Sequence, residues 1–179
     1  MKNKLLDTLS KEELIELIEL YCKNWLAMDG LWFQSIEKKF GMDEAMAHDV
    51  AVWEKYSKHE IDHIKKLLNL PDNAGLDGLE KALGARPYAN INSREITREE
   101  NTLTYRMLDC RIQNARSRKG MEWHPCKQVG LIANEVFCYE VDPKIRCTAL
   151  SCYPDLTDDT CCCSWKFVYE DDSDKNSDR

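Results

Sequence analysis

The sequence predicts an α+β fold, and three observations predict it. Apolar residues recur at helical spacing through most of residues 1 to 84, alternating extended segments begin only after them, and the last two extended segments flank a polar loop. Helices first and strands second is the pattern of an α+β domain. The expected organisation is a helical region over 1–84, a cysteine-rich α+β region over 85–169 forming one compact unit with it, and a disordered acidic tail over 170–179.

Ser10 and Glu13 have capping-box spacing, and Leu14, Leu17, Ile18, Tyr21 and Trp25 then fall on one helical face. Asp29-Gly30 kinks or ends this helix, and "LWFQSIEKKF" supplies a second amphipathic stretch closed by Gly41. Asp43 caps a long helix reaching Pro71, with Met46, Val50, Trp53, Ile61, Ile64 and Leu68 as its apolar stripe. "LDGLEKALG" is a short helix stopped by Gly84, which brings the helical region to three or four helices. "RPYANINSREI" and "NTLTYRMLDC" read as extended, and "CRIQNARSRKG" is ambiguous between a strand end and a short helix. "PCKQVGLIANEVFCYEV" reads as one helix with proline in its first turn. "PKIRCTALSCY" and "CCCSWKFVY" form a C-terminal hairpin, completing a small antiparallel sheet. Strand alternation puts Cys161, Cys163, Trp165, Phe167 and Tyr169 on the core face and Cys162 and Ser164 on the other.

A net charge of −7 argues against generic binding to nucleic acid or to an anionic membrane surface. No apolar run approaches the roughly 20 residues that a membrane span needs, and charges interrupt the N-terminal segment too early for a signal peptide. The expected location is the cytoplasm, where nine cysteines read as thiols, metal ligands or small buried groups rather than a disulfide framework. An assembly of identical chains is compatible with this composition.

"HEIDH" at 59–63 matches the zinc-hydrolase spacing, yet His59 and His63 sit on the flank of their helix and no third ligand is evident. Cys126 is the stronger candidate. In "WHPCKQVG" it falls at the start of a helix, where unpaired N–H groups and the helix dipole favour a thiolate, and His124 can carry its proton. The competing reading of Cys126 is a buried structural thiol. Gln113 and Arg116, three residues apart, suit a carboxylate clamp, and Asp29 amid aromatics reads either as a ligand-binding acid or as a helix cap. These readings require no cofactor. The metal alternative makes Cys110, Cys126, Cys152 and Cys163 four thiolates around zinc or iron, although no C-x-x-C pair is present.

From "NWLAMDGLWFQSIEKKFG" through "CRIQNARSRKG", "HPCKQVG", "VDPKI" and C-Y-P-D to the closing C-S-W-K-F, the chain resembles small prokaryotic cytosolic proteins grouped with the 2-aminothiazoline-4-carboxylate hydrolases. The resemblance implies hydrolysis of a cyclic amidine to a carbamoyl-cysteine, and it marks Cys110, Gln113, Arg116, Cys126, Cys152 and Cys163. Tyr153 stands where the pattern carries the first of two prolines, and Cys161 and Cys162 are additional to it. More distantly, the cysteine hairpin is similar to vinyl-reductase-type ligand-binding domains. The expected function is therefore a cysteine-dependent C–N hydrolase of a small carboxylated substrate. Its alternative is a non-enzymatic protein that binds a metal or a small ligand.

Overall fold

The computed structural model describes residues 3–171, and most of the 170–179 tail lies outside them. Helix α1 (Lys11–Phe40) starts on the Ser10/Glu13 capping box, with both reciprocal bonds made. It runs unbroken through Asp29-Gly30, so Asp29 caps nothing and keeps its carboxylate for other work. A glycine inside a helix costs only about 1 kcal/mol, and packing against α2 offsets it. Helix α2 (Met42–Leu68) begins after Gly41, whose φ of +93° suits glycine; Asp43 lies in its first turn and is not the cap. Helix α3 (Gly75–Ala85) passes Gly84 and ends at Arg86, whose extended backbone is imposed by Pro87. "PYAN", expected to be extended, forms a single 3-10 turn instead.

Strands β1 (Arg94–Glu99) and β2 (Thr102–Met107) form one hairpin. Helix α4 (Arg111–Arg118) resolves the ambiguous "CRIQNARSR", and α5 (Lys127–Val141) follows Pro125. Strands β3 (Ile145–Cys152) and β4 (Cys163–Tyr169) form the expected C-terminal hairpin. The sheet is antiparallel in the order β1-β2-β4-β3, so the last strand inserts beside β2 and joins the two hairpins. The fold is α+β.

Helix α5 lies between α2 and the sheet, and its packing places the main core. Phe137 and Val141 meet Ile61 and Ile64 of α2, Leu79 and Leu83 of α3, and Leu103, Ile145 and Phe167 of the sheet. Gly130 of α5 rests on the Trp165 indole so closely that an added Cβ would come within 2.6 Å of the ring. A second apolar group forms around Trp53 and Val129, where Trp25, Trp53, Tyr56 and Tyr88 pack edge-to-face and stacked with ring centroids 5.3 to 6.0 Å apart.

Two expectations about the cysteines change here. Strand β4 starts only at Cys163, so alternation does not extend to Cys161, whose buried thiol instead donates to Asp158 in the loop. Cys163 is only partly buried, and Ser164 on the opposite face is fully so. Glu170, assigned to the tail, is held by its amide to the Lys144 carbonyl and by an ion pair with Arg146. Among the described residues, no helix is long and apolar enough to cross a membrane.

Candidate active site

Between α1, α2, α4, the start of α5 and the sheet lies a cavity of about 470 Å³ with largely apolar walls. Cys126 and His124 both reach it because the turn at Pro125 folds them together, with the Cys126 amide donating to the His124 carbonyl at 2.8 Å. Cys126 is the N-cap of α5, one position before the helix, and its carbonyl accepts the first helical bond from Gly130. The helix dipole therefore still favours negative charge on its sulfur.

His124 is buried and its Nε2 lies 3.0 Å from Oδ2 of Asp49 on α2. Its ring also packs on Phe33, with centroids 4.5 Å apart. Nδ1 is buried without a hydrogen-bond partner, while the Cys126 thiol interacts with the ring. Burial pulls the His124 pKa down, but the Asp49 hydrogen bond and the Cys126 sulfur outweigh it and lift the pKa to about 9. Cys126 moves the other way, to about 5. The Cys152 thiol donates to it, and His124 adds to that effect against the opposing cost of burial. The two shifts run in opposite directions, and both favour a thiolate–imidazolium pair.

The same arrangement is built by Gln113, in a way the sequence reading did not foresee. Its side-chain carbonyl accepts from the His124 amide at 3.0 Å, and its NH2 donates to the His124 carbonyl at 2.9 Å and to the Cys126 sulfur at 3.4 Å. Gln113 is not among the residues lining the cavity. Rather than clamping a substrate carboxylate, it holds the His-Pro-Cys turn and stabilises the thiolate.

Arg116 also departs from the expected clamp. Its guanidinium is bidentate with Glu37 of α1, at 2.8 and 2.6 Å, and its Nε donates to the Glu122 carbonyl. The hydrogen bond from Arg116 holds the Glu37 carboxyl below its ordinary pKa. Its role is to bind α1 to α4 across the cavity. Glu37→Gln removes the charge that this buried cation needs, and about 3 kcal/mol of stability should go with it. Urea unfolding midpoints check this, and an unchanged midpoint would show that the pair contributes nothing.

Asp29 faces the cavity from α1. Burial raises its pKa to about 6, helped by the nearby Asp49 carboxylate and opposed by His124. Its proton is therefore exchangeable near neutral pH. Exposed Arg111, Arg118 and Lys119 stand at the cavity rim.

The four cysteines of the metal alternative all line the cavity, and Cys126 and Cys152 lie 3.8 Å apart. Even so, among the described residues no three His, Cys, Asp or Glu side chains converge to hold an ion. Cys110 is an inert member of the set, because burial raises its pKa to about 12. His59 and His63 of "HEIDH" are exposed, whereas Glu60 between them turns inward to a 3.0 Å ion pair with Arg86. The three side chains thus share no site.

Asp49 and Glu37 are the functional partners that sequence reading missed. Asp49 carried a signal: it interrupts the apolar stripe of α2, with Met46, Val50 and Trp53 as helical neighbours. Over residues 7–169 the chain matches a family described as a family of unknown function (DUF6125). No curated protein matches the chain.

Proposed function

Because the chain belongs to the DUF6125 family, whose function is unknown, we propose its activity from the cavity and the stated resemblance together: a cysteine-dependent hydrolase that opens the C–N bond of a small cyclic amidine. The observation that carries the reading is Cys126 set beside the buried His124–Asp49 pair in the wall of an apolar cavity. The resemblance to 2-aminothiazoline-4-carboxylate hydrolases points the same way. A protonated amidine carbon is electrophilic, and the neighbouring Asp29 carboxylate favours its positive charge.

The chemistry follows from the ion pair. The Cys126 thiolate adds to the amidine carbon, and the C–N bond breaks as the His124 imidazolium protonates the leaving nitrogen. Neutral His124 then takes a proton from water, the hydroxide adds to the same carbon, and Cys126 departs as thiolate. One water is consumed and the thiolate–imidazolium pair is restored. Since Arg116 and Gln113 are engaged by the protein, the carboxylate of the substrate is assigned to the rim cations Arg111 and Arg118.

Two measurements test this. A panel of cyclic amidines that includes 2-aminothiazoline-4-carboxylate should contain a compound whose ring is opened, followed by mass; turnover of none would overturn the reading. The pH dependence should also be bell-shaped. Below about 5 the Cys126 thiolate is protonated, and above about 9 the His124 imidazolium loses its proton. Alkylation of Cys126 by iodoacetamide should accordingly persist down to about pH 5, and a midpoint near the ordinary 9.0 of a thiol would remove the ion pair from the mechanism.

A further inference from the structure

Hydrolysis uses the second thiol beside Cys126 only as a hydrogen-bonding neighbour of the thiolate, never as a reacting atom. The sulfur of Cys152 lies 3.8 Å away, at van der Waals contact, on the end of β3. Both thiols line the cavity, but Cys152 has no exposure to solvent and Cys126 is partly exposed. Cys126 is thus the more accessible of the two.

We propose that Cys126 and Cys152 form a dithiol that reduces hydroperoxides, with Cys126 as the attacking sulfur and Cys152 as the resolving one. The inference shares the reactive Cys126 with the hydrolase reading but needs no amidine substrate. Three features support it. The two sulfurs are already in contact at 3.8 Å, and a disulfide bond needs them at about 2.05 Å. The thiolate character of Cys126 matches the attacking role, and once Cys126 is a neutral sulfenic acid, one of the charges that keep Cys152 protonated is gone. The apolar walls, with Trp165 and Met107 among them, suit the organic part of a hydroperoxide.

The steps balance. The Cys126 thiolate attacks the terminal oxygen of ROOH, the O–O bond breaks, and the alkoxide takes the His124 proton to leave as ROH. Cys126 is then a sulfenic acid. The Cys152 sulfur attacks the Cys126 sulfur, the S–O bond breaks, and the hydroxyl leaves as water with the Cys152 proton. Two thiols have been oxidised to one disulfide and one peroxide reduced to alcohol and water. A small dithiol in the medium returns the pair to its reduced form.

The test treats the reduced full chain with one equivalent of cumene hydroperoxide, or of hydrogen peroxide, followed by alkylation and mass measurement. The wild type should lose two hydrogens and two of its nine alkylatable thiols, in a peptide pair that joins Cys126 to Cys152. Cys152→Ser should instead gain one oxygen at Cys126, captured by dimedone, and Cys126→Ser should consume no peroxide. With dithiothreitol present, wild-type peroxide consumption should be catalytic and should fall to the buffer rate in Cys126→Ser. Faster consumption of cumene hydroperoxide than of hydrogen peroxide is the expected order for an apolar cavity. The proposal is overturned if the wild type gains oxygen without losing hydrogens, or if the linkage joins Cys152 to Cys163. Melting curves of both serine variants exclude misfolding as the cause. Because no readout involves an amidine, a protein that hydrolyses nothing can pass and an active hydrolase can fail.

Discussion

Cys126→Ser should lower kcat for amidine ring opening by at least ~10⁴-fold, the scale of losing a nucleophile from a coupled relay. The cause is ionisation rather than shape. Serine preserves the contacts of a half-buried side chain at the start of α5, so the protein should melt within a degree or two of wild type. A hydroxyl, however, stays protonated where the thiol ionises at about 5, so the resting nucleophile disappears. The imidazolium also loses its counter-charge. Its pKa should fall, because the Cys126 sulfur is one of the groups that hold it at about 9. Steady-state kinetics together with an NMR titration of His124 would measure both effects. Retention of more than a hundredth of the wild-type rate would remove Cys126 from the nucleophile's role.

Asp49→Asn is the second large effect, with an expected loss of roughly 10² to 10⁴ in kcat at little cost in KM. Asp49 accepts from Nε2 and so leaves Nδ1 on the side available to the reacting groups. An asparagine presents either an oxygen without charge or an NH2 that demands the opposite tautomer. In both cases the imidazolium is less stable, and the upper limb of the pH profile should move down from about 9. The lower limb should move up, since a weaker imidazolium stabilises the thiolate less. A variant that slows uniformly with both limbs in place would mean that Asp49 merely supports the fold.

How much of this was legible depended on distance along the chain. His124 and Cys126 are two residues apart and act through a helix start, which proline and the apolar period of α5 announce locally. The α+β class followed from periodicity alone, as did the C-terminal hairpin, whereas the pairing of β1 with β2 came from the structure. What failed was long-range. Asp49 is 75 positions from His124, and Glu37 is 79 from Arg116; no local rule pairs them. Reading Arg116 and Gln113 as a clamp was sound chemistry with the wrong recipient, since the protein's own Glu37 and His-Pro-Cys turn occupy those donors. The break expected at Asp29-Gly30 failed for a related reason. Local propensity disfavours glycine in a helix, but the surrounding 30-residue helix and its packing on α2 decide the matter.

That uninterrupted α1 has two mechanically different halves. Leu26 is its only buried residue, and Ile15, Ile18, Leu20 and Tyr21 before it are all about half exposed or more. The later half is tied down by Phe33 against His124 and by Glu37 against Arg116. Amide protons before Trp25 should therefore exchange with solvent deuterium through fraying, at small local opening energies, while those from Leu26 to Glu37 wait for much larger openings. If the relay is assembled only when the later half is docked, the slow-exchanging segment and the activity should be lost together on warming, with the early half already exchanged and irrelevant to both.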